Sequence, residues 1–399
     1  MNKKILFISG SLGLGHVTRD IAIAEAIRAL RSDVDIFWLA SHPANLLLEE
    51  NGETLLPEAS DYLDENLIAE STSRGSKLNL FRYAMAFRRQ WQHNVDLVGR
   101  VTARDRYDLL IGDETYDLTT AFRKRPDLKK SPFVMIYDFV GFDAMTHNPV
   151  EQLGIYMMNR MWLTGYPHKP PVYDLGLFIG EPDDVPDRRF GFLLPNRRVF
   201  ALARYKFVGY VLPFRPEDYA DRNGVRAGLG YGSEKLIICA IGGTSIGREL
   251  LELCGQAYPL VKREISDVRM ILITGPRLAG GSITVPEGVE VREFVPALYQ
   301  HFAACDLAIV QGGGTTTLEL TALKRPFLYF PIEGHCEQEK YVAGRLARHK
   351  AGIRMTLSQT SPESLAFQIA ANIGADVGHA SIPVDGARKA ARLILEQLK

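Results

Sequence analysis

The feature that most constrains this chain is a rhythm, played twice, in which a short apolar run leads into a glycine turn or a carboxylate and then a helix-periodic stretch. In the first half Ile5 to Ser9 is such a run, Gly10-Ser11-Leu12-Gly13-Leu14-Gly15-His16 is the turn, and from Thr18 onward Ile21, Ala24, Ile27 and Leu30 recur at helical spacing. Ile36 to Ala40 follows, then Leu109 to Asp113, then Phe133 to Tyr137 ahead of Asp138. A strand apolar along its whole length is buried on both faces, the situation of a parallel sheet covered by helices on both sides. Strands alternating with helices therefore predict βαβ units and an α/β fold.

The second half restarts the rhythm. Lys235 to Ala240 reads as strand, Gly242-Gly243-Thr244-Ser245 as turn and Arg248 to Lys262 as helix, with Val268 to Thr274, Val289 to Phe294, Leu307 to Val310 and Phe327 to Phe330 as further strands. A chain of 399 residues exceeds the roughly 250–300 at which a single core stops growing. Two Rossmann-like domains are expected, 1–210 and 211–399, joined by a linker near Lys206 to Glu217 that contains Gly209, Pro213 and Pro216. Residues 60–105 read as charged and helical, and 139–200 as irregular, with breakers at Asn148-Pro149 and Lys169-Pro170-Pro171.

Composition removes several function classes. Lys plus Arg and Asp plus Glu each total 47, so the basic excess of a nucleic-acid binder is missing and no nucleic-acid partner is expected. Cys239, Cys254, Cys305 and Cys336 match no zinc or redox spacing and read as reduced cysteines. His42, His93 and His147 lack partners at metal-ligand spacing, so no metal site is expected. The start Met1-Asn2-Lys3-Lys4 leads into an apolar stretch too short for a signal peptide, and no window is apolar enough to span a membrane. A cytoplasmic location is the expectation.

The chemistry-bearing stretch is Gln311-Gly312-Gly313-Gly314-Thr315-Thr316-Thr317-Leu318-Glu319, between a strand and a helix. Glycines allow positive φ and close approach of the backbone, threonines can cap the helix, and the free N–H groups with the helix dipole favour an anion. Glu319 could then accept both hydroxyls of a ribose. The bland alternative is a tight turn with a capping threonine and a solvated glutamate. Downstream, the strand from Pro326 to Pro331 leads into Glu333-Gly334-His335-Cys336-Glu337-Gln338, so two polar loops share the carboxyl edge of one sheet, where open α/β sheets bind ligands.

Residues 311–338 resemble the donor-site signature of GT-B glycosyltransferases, the MurG-like (family 28) and UDP-glycosyltransferase (family 1) groups. The resemblance implies a GT-B fold, two Rossmann-like domains facing each other across a cleft, with the acceptor half first. It implies that Gln311, Gly313, Gly314, Thr315 and Thr316 hold the diphosphate of a nucleotide sugar, helped by Gly243, Thr244 and Ser245. By the same likeness Glu319 holds ribose, Glu337 and Gln338 bind sugar hydroxyls, and Val295 presents backbone to the base. Gln311 stands where those families often have His, and Tyr341 where many keep Asn.

The amino-terminal loop superficially resembles a dinucleotide fingerprint, but Ile36 to Ser41 offers no acidic residue at the end of the second strand. Its Gly-His ending instead resembles the acceptor-side loop of the same glycosyltransferases, with Gly13 and Gly15 in the loop and His16 at the helix start. An imidazole suits removal of a proton from an acceptor hydroxyl, and Asp113 occupies the place of the carboxylate that orients it in plant-type members. Arg19 replaces the proline of the usual motif and reads either as a ligand for an acidic acceptor or as a solvated charge. The apolar run Ile155 to Leu163, with basic punctuation, reads either as packing or as an amphipathic lip for a greasy acceptor or a membrane surface.

The expectation is thus a metal-independent, inverting hexosyltransferase using a UDP- or dTDP-sugar as co-substrate, with a small-molecule or lipid-linked acceptor and no further cofactor. An isomerase resembling UDP-N-acetylglucosamine 2-epimerase, or a non-catalytic nucleotide-sugar-binding subunit, are the alternatives.

Overall fold

A computed structural model describes residues 2–9, 13–74, 77–78 and 80–398, so Gly10, Ser11 and Leu12 of the amino-terminal loop lie outside the described residues. The chain divides into two compact units, the first comprising Met1–Thr72, Asn79–Pro213 and Pro383–Lys399, the second Ser73–Leu78 and Phe214–Ile382.

The strands are β1 (Lys3–Ser9), β2 (Val34–Ala40), β3 (Thr54–Leu55), β4 (Ser73–Arg74), β5 (Lys77–Leu78), β6 (Leu109–Asp113), β7 (Phe133–Tyr137), β8 (Leu175–Ile179) and β9 (Lys206–Gly209). They continue with β10 (Lys235–Ala240), β11 (Val268–Ile273), β12 (Val289–Arg292), β13 (Leu307–Gln311), β14 (Phe327–Phe330) and β15 (Ile353–Arg354). The first unit carries a seven-stranded sheet in the order β3-β2-β1-β6-β7-β8-β9, the second a six-stranded sheet ordered β12-β11-β10-β13-β14-β15. Every pairing within both sheets is parallel.

The apolar strands are buried on both faces for the reason the sequence suggests. Along β1, Ile5 and Phe7 enter one core while Leu6 and Ile8 enter the other. Along β10, Ile237 and Cys239 face one core and Leu236, Ile238 and Ala240 the opposite one. All four cysteines are buried and form no disulfide. In each sheet the strand order reverses direction once, between β1 and β6 and between β10 and β13. The carboxyl ends flanking such a reversal splay apart and leave a crevice in which α/β proteins bind ligands.

Three expectations need correction. The stretch 139–200 is not irregular: it holds the helices Pro149–Trp162 and Arg197–Arg204 and the strand β8. The linker read at Lys206 begins instead as β9, the edge strand of the first sheet, and the chain leaves the first unit after Pro213. Residues 383–399 were expected in the second domain but pack on the first. Ala390, Ala391, Ile394 and Leu398, on and just past the helix Gly386–Leu395, fill the core beside the helix Gly15–Leu30. That return is pinned where Gly386 N–H donates to Tyr210 O at 3.0 Å and Tyr210 N–H donates to Pro383 O at 2.9 Å. A Cβ on Gly386 would sit 2.5 Å from the Tyr210 carbonyl, so only glycine permits the approach.

Candidate functional site

In the second unit, β13 ends at Gln311, paired with Phe330 of β14. None of Gly312, Gly313 and Gly314 adopts positive φ, contrary to expectation. Gly312 is needed for closeness: a Cβ there would lie 2.9 Å from the Pro331 Cα. Gly313 is the N-cap of the helix Gly314–Ala322 and, as glycine, has no side chain with which to cap it. Thr317, expected among the capping threonines, instead turns its hydroxyl back to donate to Gly313 O at 2.8 Å. With Thr315 and Thr316 in its first turn, the helix turns its N-terminus and the positive end of its dipole toward this edge, an arrangement suited to phosphate.

Glu319 lies one turn further along and is only 6% exposed. Burial pushes its carboxyl up to about 8, and no nearby charge offsets that. Arg345, which sequence reasoning missed, is buried beside this loop and donates from Nη2 to Gly314 O at 3.0 Å.

The loop after β10 reaches the same edge, since Ala240 pairs with Val310. Gly242 and Gly247 both sit at positive φ, with Gly243, Thr244 and Ser245 between them. The Gln311 side chain joins this loop to the β13 loop, because its amide donates to Ile246 O. A Cβ on Gly247 would fall 2.2 Å from Gln311 Nε2, so the glycine makes room for the clip. Gln311 thus spends its amide nitrogen between loops.

After β14, Gln338 Oε1 accepts from Ile332 N–H at 2.8 Å, which leaves the amide nitrogen end for other partners. Glu337 and Gln338 open the π-helical turn Glu337–Val342, and Tyr341 within it is buried. Val295 follows β12, on the same carboxyl edge.

In the first unit, Gly13 sits at positive φ, 77°, and its N–H donates to Asn66 Oδ1 at 2.7 Å. Asn66, buried and not singled out by the sequence, in turn donates to His42 O at 3.3 Å. Gly15 opens the helix Gly15–Leu30, which sets His16 over the end of β6. Asp113 is the last residue of β6, in register with Ser9 of β1 and Ile136 of β7, so the strand reversal brings His16 and Asp113 together.

His16 Nδ1 lies 2.9 Å from Asp113 Oδ2, and its Nε2 lies 4.0 Å from Asp138 Oδ2. Arg19 is buried rather than solvated. It is 4% exposed and donates to Asp113 from Nε at 3.1 Å and from Nη2 at 2.7 Å, and to Asp138 from Nη1 at 2.6 Å. Its Nη2 also lies 2.6 Å from His16 Nδ1. A neutral Nδ1 can donate to Asp113 or accept from Arg19 but not both; the first leaves Nε2 with a free lone pair, the second leaves it protonated.

Burial raises Asp113 and Asp138, but the charges of Arg19 and His16 outweigh it and hold both carboxyls below the usual range. Asp20 and Glu114 go the other way, pushed well up by burial and then by the neighbouring carboxylates. Glu114 holds a left-handed φ of 54°, a strained conformation for this residue type directly after Asp113. Asp113 and Asp138 thus face one guanidinium as carboxylates, and the remaining negative charge can offset an imidazolium. Among the described residues no His, Cys, Asp and Glu group is arranged to hold a metal ion.

With that geometry in place, similarity to known proteins can be weighed. Over nearly its whole length the chain shares its fold with a spinosyn rhamnosyltransferase complexed with thymidine diphosphate, at TM-score 0.56 and 18% identity, covering 99% of this chain and 96% of that one. The protein therefore has the GT-B fold, two parallel-sheet α/β domains of the kind found in glycosyltransferases. Within it, residues 237–373 match the glycosyltransferase family 28 C-terminal domain. The chain resembles an uncharacterised glycosyltransferase of Methanopyrus kandleri, 27% identical over 41% of this chain and 45% of that protein. It also resembles the UDP-N-acetylglucosamine–N-acetylmuramyl-(pentapeptide) pyrophosphoryl-undecaprenol N-acetylglucosamine transferase of Carboxydothermus hydrogenoformans, 26% identical over 38% of this chain and 43% of that one. The chain thus spans less than half the length of these curated relatives.

Proposed function

We propose that this protein is an inverting glycosyltransferase that moves a hexose from a nucleoside diphosphate to an acceptor hydroxyl, with His16 as general base. The observation that carries the reading is the 2.9 Å contact between His16 Nδ1 and Asp113. When Nδ1 donates to Asp113, Nε2 keeps the lone pair that takes the acceptor's proton. The acceptor oxygen then bonds to the anomeric carbon as the bond from that carbon to the phosphate oxygen breaks. The departing diphosphate carries the negative charge away, and the N-terminus of the helix Gly314–Ala322 meets it with the positive end of its dipole in place of a metal ion. Glu319 takes the ribose, Val295 the base, and Glu337 with Gln338 the sugar hydroxyls.

UDP is the preferred nucleotide, because the relatives that the chain resembles include transferases named for UDP-N-acetylglucosamine. The dTDP alternative is supported by the thymidine diphosphate bound to the rhamnosyltransferase of like fold. A lipid-linked acceptor and contact with a membrane surface are supported by the helix Pro149–Trp162, which exposes Val150, Leu153, Met157 and Met161 at helical spacing. No described helix is long and apolar enough to cross a membrane; a peripheral, cytoplasmic protein is the location proposed.

Incubating the pure protein with UDP- and dTDP-hexoses, with and without EDTA, and following nucleotide release tests the reading. Release of diphosphate nucleotide that survives EDTA and rises with acceptor is expected. Tight binding of the sugar nucleotide with no turnover over any acceptor would contradict it.

A further inference from the structure

We propose that Arg19 is a positioning residue for His16: it clamps Asp113 and Asp138 together, competes with Asp113 for the imidazole Nδ1, and so sets the tautomer and basicity that His16 offers an acceptor. The inference rests on reading His16 as the base, and departs from the proline that the resembled motif has at this place.

The geometry is that of a clamp. Arg19 follows His16 by three residues on one helix, so both side chains project from the same face. The guanidinium engages Asp113 through Nε and Nη2 and Asp138 through Nη1, spanning the ends of two adjacent strands. Its Nη2 stands 2.6 Å from Nδ1, nearer than Asp113 Oδ2 at 2.9 Å. The base is therefore held between a donor and an acceptor that favour opposite tautomers.

The charged groups facing His16 are Arg19 from its own helix, Asp113 at the end of β6 and Asp138 just past β7, and Asp20 and Glu114 act on that cluster through Arg19 and Asp113. Four carboxyls thus surround one guanidinium in a buried space. Both Asp20 oxygens are buried without a well-formed hydrogen bond, which favours the neutral acid there. Removing the guanidinium would leave Asp113 and Asp138 uncompensated, so the imidazole would hold its proton to higher pH and carry it on Nδ1 when neutral. Exchanging one charge at this range moves a titration by about one pH unit or more, even after a neighbouring carboxyl takes up part of the change.

The test is Arg19→Met, which keeps length and removes charge and donors, studied by 15N NMR of His16 and by the pH dependence of kcat/KM. In the wild type the neutral ring should show both tautomers. In Arg19→Met it should be protonated at Nδ1 alone, with its titration raised by about one pH unit or more and the acidic limb of kcat/KM moved equally. Arg19→Lys, which keeps the charge, should titrate close to wild type. Asp138→Asn should shift the titration down, and it carries the test should Arg19→Met fail to fold. An unchanged titration and tautomer in folded Arg19→Met, or no downward shift in Asp138→Asn, overturns the proposal. A shifted titration with an unmoved rate limb would instead sink the base reading and leave the coupling of Arg19 to His16 standing.

Discussion

Glu319 supplies the prediction that can be worked furthest from the structure. Its carboxyl, 6% exposed, is pushed up to about 8 by burial. If it accepts two ribose hydroxyls it must do so as the carboxylate, so nucleotide binding near neutrality must expel its proton. At pH 7, one unit below that value, about nine-tenths of the molecules hold the proton, and binding should release about 0.9 proton per nucleotide. Affinity should rise roughly tenfold per pH unit below about pH 8 and flatten above it. Calorimetry of UDP or dTDP binding at pH 7 in phosphate and in Tris reads this directly, because the buffers differ in ionisation enthalpy. Glu319→Gln should abolish the buffer difference and bind more weakly. The sign for folding runs the other way from that of a salt-bridged acid. Between the unfolded value and about 8 the native state holds a proton that the unfolded chain has lost, so stability falls as pH rises, by up to about 1.4 kcal/mol per unit. Wild type should therefore lose more stability than Glu319→Gln between pH 5 and 8. Equal heats in both buffers with a pH-flat affinity would refute the ribose assignment.

Other consequences are testable together. Gly312→Ala drives a Cβ to 2.9 Å from the Pro331 backbone, and should cost about 1–3 kcal/mol of stability by thermal denaturation and weaken nucleotide binding measurably. Gln311→Ala removes the amide donated to Ile246, freeing the β10 loop from the β13 loop; nucleotide affinity should drop by about tenfold with little change in melting temperature. Replacing Leu153 and Met157 with serine should reduce sedimentation with anionic vesicles and leave nucleotide binding as it was, since both side chains are exposed.

Much of this arrangement is legible in the sequence because local signals agree with the tertiary outcome. Strands buried on both faces need no partner information to be recognised, and the glycine turns mark their carboxyl ends. The topological reversal at β1 and β6 then explains why His16 and Asp113, 97 residues apart, meet. Other features depend on distant partners. β8 and β9 follow proline-rich sequence, and their strand character is set by pairing, β8 on β7 and β9 on β8, rather than by their own pattern. The last helix is amphipathic, but nothing in it says which unit it covers; that is decided by the Tyr210 and Gly386 contact. Arg19 reads as either a ligand for an acidic acceptor or a solvated charge because its two carboxylates lie 94 and 119 residues away. Gln311 is assigned to the diphosphate by its place in the motif, but that motif does not reveal that its amide donates to a carbonyl 65 residues away in another loop.

The central claim is that His16 takes the proton while the glycine loop of the second unit holds the nucleotide. The most direct measurement compares His16→Ala with wild type for the rate of sugar transfer and for nucleotide affinity in the same preparation. The account predicts a fall in kcat of about 10²–10⁴ with nucleotide affinity within about twofold of wild type. Transfer at the wild-type rate by a folded His16→Ala protein would contradict it.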